Sequence, residues 1–401
     1  FRRLSDKRQL AFTYLVFPGA THDRRQHSMG AYHRTCQFTA KMADLGLLNN
    51  SEAVSVNIFA LLHDIGHGPF SHVIEVFTKS NHHENGLRII DKMAKDIKAC
   101  GGDPELIKKF MTKENPRGSI VSDKNFGMEK LDYLIRDQEA IQFGPNIRYC
   151  VESVFNHLVF RDGQLRVDLK ALDSAIEIQR AYIYFYRNVH LEKSSYLIQR
   201  FMQKLIFQLL NTPAEQGGIG EEELWEMVDG DLVHALKKCQ NPIVANGIKI
   251  FDSGVKHFPK TAISLRLKNY GWLERRAGKP IQVEEVGHQF FDKFFLKSKP
   301  TDLEEIESQI AKLLGLQSWE VAISHIVERR RFIPQDILFF DGAKDYSLKE
   351  QDPAYFNLLK KELDKYLCVR ICAVPAHREK VLAKKKKILD LVYDHVGYNG
   401  L

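Results

Sequence analysis

The stretch LLHDIGHGPFSH, residues 61–72, sets His63, Asp64, His67 and His72 behind an apolar run. Neutral imidazole and carboxylate together suit a divalent first-row metal ion or Mg²⁺. His63 and Asp64 are neighbours, so on a helix their directions differ by about 100°. Both can still reach one ion seated between them near a helix end. His67 follows His63 at i+4 and would share its face on a continuing helix. Gly66 and Gly68 argue that the helix stops there and let backbone approach a ligand closely. The neighbourhood is rich in the same chemistry, with histidines at 22, 27, 33, 63, 67, 72, 82 and 83. One such histidine alone would read as a structural, hydrogen-bonded residue. An adjacent His-Asp pair on an apolar helix, flanked on both sides by more histidines, points to a bound metal.

A helical frame must position these groups. SEAVSVNIFALLHD opens with Ser51 as N-cap and Glu52 in the first turn. Val54, Ile58, Leu61 and Leu62 follow helical spacing. FGMEKLDYLIRDQEAI is a second amphipathic helix, and residues 168–210 form a long helical stretch broken near His190. The last third differs. RFIPQDILFFDG and KYLCVRICAVPA are short, apolar and rich in β-formers, and REKVLAKKKKILDLVYDHV reads as a closing helix. The expected fold is mainly α: a helical core over residues 1–280 and a smaller α+β portion over 281–401, with the boundary somewhere in 260–320.

Bulk composition narrows the function classes. The 401 residues are 44% hydrophobic, enough for a large core and two domains. No run approaches the length of a membrane-spanning helix, so no membrane partner is expected. FRRLSDKRQL has no continuous apolar region and does not read as a secretory signal. Six cysteines form no CxxC pair, which suits reduced thiols and a cytoplasmic location. Cys368 and Cys372 read as small core residues. A net charge of +7 favours anionic partners. The basic tracts Arg329–Arg331 and Lys384–Lys387 read as solvated helix faces, so nucleic acid is only weakly supported as a partner.

The His-Asp doublet in LLHDIGHGPFSH, with FPGATHDRRQHSMG before it and NHHENG and EKLDYLIRD after it, resembles the HD-domain phosphohydrolases. The resemblance spans roughly residues 1–210. It is closest to the deoxynucleoside-triphosphate triphosphohydrolase (dGTPase-like) branch, which releases deoxynucleoside and inorganic triphosphate. It implies one divalent metal ion (Fe, Mn, Zn, Ni or Mg) held by His27, His63 and Asp64. The fourth ligand of the family is an Asp where this chain has Glu129. Asp132, at i+3, is the alternative.

The same resemblance implies the remaining roles. His83 matches the family's catalytic histidine, the general acid for the leaving 5′ oxygen, with Glu75 as its carboxylate partner; His82 is the alternative. His67 and His72 match phosphate-side and water-side histidines, and Arg24 a phosphate-binding arginine. Lys130, Tyr133 and Asp137 match substrate contacts along one helix face, and Gln9 and Leu10 a pair at the sugar's 3′ edge. His22 and His33 stay structural or supporting. Nucleotide substrate, nucleotide effector and a homo-oligomer are the implied partners.

One helix departs from the family. Relatives usually carry a triphosphate-gripping Arg and, eight residues later, a Tyr against the sugar. These positions are Tyr182 and His190 here. Two alternatives therefore stand beside deoxynucleotide hydrolysis. One is a related phosphohydrolase acting on a monophosphate, a ribonucleotide or a nucleic-acid end. The other is a degenerate nucleotide sensor.

Overall fold

The computed structural model describes residues 1–274, 281–325 and 335–398. The chain is mainly helical, with eight strands among the described residues, numbered here in chain order. Its contacts gather into two units, Phe1–Asn188 with Pro334–Leu359, and Val189–Ile333 with Lys360–Leu401. Neither unit is a single run of sequence.

The first unit is built on helices α1 (Arg24–Asp44), α2 (Asn50–Leu62), α3 (His82–Lys92) and α4 (Met128–Ile141). Asp23 caps α1 by accepting from the Gln26 amide. The cap of α2 is Asn49, not the expected Ser51. Asn49 and Glu52 form a reciprocal capping box, which satisfies two amide donors that Ser51 would leave open. Phe59, Ala60 and Leu62 of α2 join Phe38 and Met42 of α1 and Leu131 and Leu134 of α4 in one buried cluster. Gly30 lets α1 and α4 close up, since a Cβ there would stand 1.9 Å from Asp132 Oδ1.

A four-stranded sheet belongs to this unit, in the order β1 (Leu158–Arg161), β2 (Gln164–Asp168), β6 (Leu338–Phe340), β7 (Asp345–Ser347). The β1–β2 hairpin turns through Asp162 and Gly163 with φ of 49° and 77°. That is the Asp-Gly signature of a tight hairpin turn, lying inside the stretch expected to be helical. The pairing of β2 with β6 is parallel and long-range, so no local pattern announces it. Helix α5 (Leu172–Phe185) runs into a π-turn at Tyr186–His190, which is the expected break.

In the second unit, helix α6 (Lys193–Leu210) accompanies a sheet ordered β4 (Gln282–Val286), β3 (Lys260–Leu267), β8 (Cys368–Ala373), β5 (Val321–His325). The expected strand in KYLCVRICAVPA is β8, and Cys368 and Cys372 are buried in it. Two carboxylates are buried with cationic partners. Glu307 accepts from Arg200, from Lys204 at 3.0 Å and from the Ile323 amide at 2.7 Å. Glu274 accepts from Arg266 at 2.6 Å and Arg370 at 2.8 Å. Buried charge is tolerated only when paired in this way. The closing segment forms two helices, Arg378–Ala383 and Lys385–Val396. Lys385 pairs with Glu284 at 2.9 Å. The tract Arg329–Arg331 and the first residues of RFIPQDILFFDG lie outside the described residues.

Candidate active site

Helix α1 brings His27 to His63, the residue that closes α2. Their Nε2 atoms are 3.2 Å apart, and both rings are buried. Each ring's other nitrogen has a partner. His63 Nδ1 donates to the Ala60 carbonyl at 2.7 Å, and His27 Nδ1 lies 2.9 Å from Asp132 Oδ2. With Nδ1 protonated in each ring, both Nε2 lone pairs point at one another. That arrangement is repulsive unless a cation or an extra proton lies among them. It is also how imidazoles are oriented as metal ligands.

Carboxylates complete the set. Asp64 Oδ1 is 3.5 Å from His63 Nε2, and Asp64 Oδ2 is 3.9 Å from His27 Nε2. Glu129 Oε2, at the start of α4, is 3.3 Å from His63 Nε2. Asp132 sits on the opposite edge of the His27 ring, held by Arg136 at 2.9 and 2.7 Å. Burial would raise the Asp64 carboxyl, but Arg24, His63 and His67 outweigh it and hold Asp64 well below the usual range. Burial raises Glu129.

Beyond Gly66 the chain must turn sharply. A Cβ on Gly66 would meet the His82 carbonyl at 2.0 Å, so only glycine fits against the start of α3. The left-handed residues that follow are Phe70 and Ser71, with φ of 50° and 60°. Neither is a glycine, so this turn carries backbone strain. It delivers His72, whose Nδ1 lies 2.7 Å from Glu75 Oε1. Glu75 Oε2 meets His82 Nδ1 at 2.9 Å. His67 stacks on His82 with centroids 4.2 Å apart and places its Nε2 3.2 Å from Asp64 Oδ1. Burial and the charge of Arg24 push the His67 imidazole well below its ordinary value. Burial would raise Glu75, but hydrogen bonds from His72 and His82 hold it well below.

The expected pairing of Glu75 with His83 is not what the structure shows; the partner is His82. Asn81 caps α3, and the next two side chains leave the helix in different directions. The first meets Glu75, and the second is exposed. The His83 ring lies 4.0 Å from that of His82. Desolvation by the surrounding groups, with the charges of His82 and Lys113, pushes His83 down to about 4.

His27, His63, Asp64, His67, His72 and His82 line one cavity of about 320 Å³, which His83, Gln9, Arg24, Glu129 and Tyr133 also reach. The HD domain family matches residues 24–136, the span from α1 through α4. The chain carries an HD domain. Such domains belong to a phosphohydrolase superfamily and hold divalent metals. An uncharacterised protein of Methanocaldococcus jannaschii is 27% identical over 60% of this chain and 50% of its own length. The Danio rerio deoxynucleoside triphosphate triphosphohydrolase SAMHD1 is 43% identical over 19% of this chain and 12% of its own. The chain thus spans about half the length of the longer-matching curated relatives. A phosphohydrolase of Bacteroides thetaiotaomicron shares the fold with a TM-score of 0.69 at 23% identity, covering 93% of this chain and 92% of that one.

Around this HD domain, the other expected site residues divide. Gln9 lines the cavity, and its buried Oε1 has no hydrogen-bond partner. Leu10 is buried and is not among the lining residues. Arg24 lines the cavity but donates to Asp64, and through Nε to Ser71 at 2.6 Å. Of the three expected contacts on α4, only Tyr133 lines the cavity. Asp137 is buried 2.8 Å from His22 Nε2. Lys130 is buried too. It donates to the Lys124 carbonyl and stands 3.6 Å over the Tyr182 ring. Burial pushes its amine down to about 8. His33 is not part of the cavity. Lys113, Ser122 and Lys124 line the cavity and were not expected. Single lysines and serines in loops carry no sequence signal.

Proposed function

We propose that this chain is a metal-dependent nucleotide phosphohydrolase that cleaves deoxynucleoside triphosphates to deoxynucleoside and inorganic triphosphate. The observation that supports it most is the convergence of the His27 and His63 Nε2 lone pairs with Asp64 and Glu129, one residue shell from the Glu75-clamped histidines. That donor set fits a divalent ion: two neutral nitrogens and two carboxylates, with Asp132 orienting one ring from behind. Its position beside His63 Nε2 favours Glu129 over Asp132 as the fourth ligand. A bound ion there would polarise a phosphoryl oxygen and ease ionisation of water.

The chain's own residues have separable roles in this reading. Glu75 holds the Nδ1 edge of His82, which leaves the opposite nitrogen to give a proton to the leaving 5′ oxygen. His83 is the second candidate, as its exposed ring lines the same cavity. His72 shares Glu75 and stands on the water side. The unpartnered Gln9 Oε1 and the Tyr133 ring suit a sugar hydroxyl and its apolar edge. The short likeness to SAMHD1 supports the deoxynucleotide assignment. A homo-oligomer, a nucleotide effector and a cytoplasmic location belong to the same proposal.

A second reading, hydrolysis of another nucleotide, is favoured by one observation: Tyr182 roofs Lys130 where a phosphate-gripping arginine would be expected. One experiment separates the two. The full chain, supplied with Mn²⁺, Fe²⁺ or Mg²⁺, is given the four deoxynucleoside triphosphates, the ribonucleotides and a monophosphate panel. Inorganic triphosphate as product supports the first reading. Orthophosphate or pyrophosphate supports the second, and no turnover of any substrate defeats both.

A further inference from the structure

A second cavity, of about 530 Å³, adjoins the reaction cavity. The two share Lys113, Ser122 and Lys124. The lysines sit in the loops on either side of the short Ser119–Ser122 helix, and both are exposed. Neither forms an ion pair with a described carboxylate, unlike Lys108 nearby, which is matched by Asp91 at 2.7 Å and Glu105 at 2.8 Å.

The other cations near the metal-type site are already engaged. Arg24 is bonded to Asp64 and Ser71, Lys7 donates to the His67 carbonyl, and Lys130 is buried under Tyr182. A polyanion entering this cavity faces Asp64 and Glu129, so it needs positive charge that is not already spent. Lys113 and Lys124 supply it, on the side where the second cavity begins. That cavity tolerates an anion, because its two carboxylates are turned toward donors. Asp123 accepts from the Asn125 and Phe126 amides at 2.8 Å, and Asp336 from the Lys349 amide at 2.9 Å and from Ser347. Gln164 and Gln335 offer amide donors on its wall.

We infer that Lys113 and Lys124 bind the phosphates that lie beyond the scissile one, and that the second cavity receives the far end of that chain. This rests on the phosphohydrolase reading for the identity of the reacting group, but not for the anion site itself.

The test is calorimetric binding of inorganic triphosphate and of orthophosphate to the full chain and to K113N, K124Q, their double variant and K108Q. Asn is used at 113 because the backbone there is left-handed, at φ 64°, a region that Asn tolerates. Each pocket lysine removed should weaken triphosphate roughly tenfold, the loss of one charge-assisted contact. Orthophosphate should be unaffected, and K108Q should match the parent protein. Undiminished triphosphate binding by the double variant, or equal losses for both anions, would overturn the inference. Lysine-dependent triphosphate binding without turnover of any nucleotide would instead defeat the hydrolase reading and leave the anion site standing. Turnover of triphosphates with an unmoved KM in the double variant would do the reverse.

Discussion

His27 and His63 face each other Nε2 to Nε2 at 3.2 Å, each with its far nitrogen already bonded. No arrangement of neutral rings with both Nδ1 atoms protonated makes that contact favourable by itself. The purified protein should therefore carry a stoichiometric divalent metal by elemental analysis. Asp64→Ala should lose both metal and turnover. A metal-free protein that stays inactive after Mn²⁺, Fe²⁺ and Mg²⁺ are added would refute the site.

Glu129 and Asp132 should behave differently when changed. Asp132→Asn removes an orienting carboxylate and should weaken metal affinity about 10- to 100-fold while sparing the site. Glu129→Ala should weaken it more. Metal titration of the two variants decides between them; the opposite ranking would make Asp132 the ligand.

The clamp on His82 separates it from its neighbour. If His82 passes the proton, His82→Ala should retain metal and slow hydrolysis by about 10²- to 10⁴-fold, with His83→Ala much milder. A larger loss in His83→Ala would show that the neighbouring ring turns in to replace it.

A pH effect on folding belongs to the second unit. His325 is buried, and burial together with Arg200 pushes its imidazole down to about 3. The unfolded chain therefore takes up a proton there before the folded one does, between the ordinary value of about 6.5 and about 3. Its contribution is complete above pH 6.5 and fades as pH falls through that window. Thermal melts of the full chain should lose Tm from pH 6.5 to 4, and His325→Asn should flatten part of that slope. An identical slope in the variant would remove His325 as a cause.

Gly66 offers a packing test. Its Cβ would strike the His82 carbonyl at 2.0 Å and the Gly86 amide nitrogen at 2.4 Å, both in the first turn of α3. Gly66→Ala should destabilise by roughly 1–3 kcal/mol through forced backbone shifts, read as a lowered denaturant midpoint. It should also cut activity by displacing His82.

Much of the metal-type cluster could be read directly from sequence, because histidine and aspartate side by side on an apolar helix are chemically distinctive. Residues set by three-dimensional packing could not. The pairing of Glu75 with His82 rather than His83 depends on how the first turn of α3 lies against Glu75. Lys113 and Lys124 share a cavity only because two loops meet there, which no local pattern records. The helical stretches were legible from their spacing, and the break before His190 with them. The β1–β2 hairpin carried an Asp-Gly signal that was available but sat between two helical patterns. The pairing of β2 with β6 depends on residues far apart in the chain.

That pairing has a consequence for synthesis. Val167 and Asp168 of β2 wait for Phe339 and Phe340. A chain emerging from the ribosome presents a complete His-Asp cluster long before it presents that partner strand. Until Phe340 is made, the edge of β2 stays open, a template for another nascent chain. Truncation after residue 280 should therefore produce aggregation rather than a minimal enzyme.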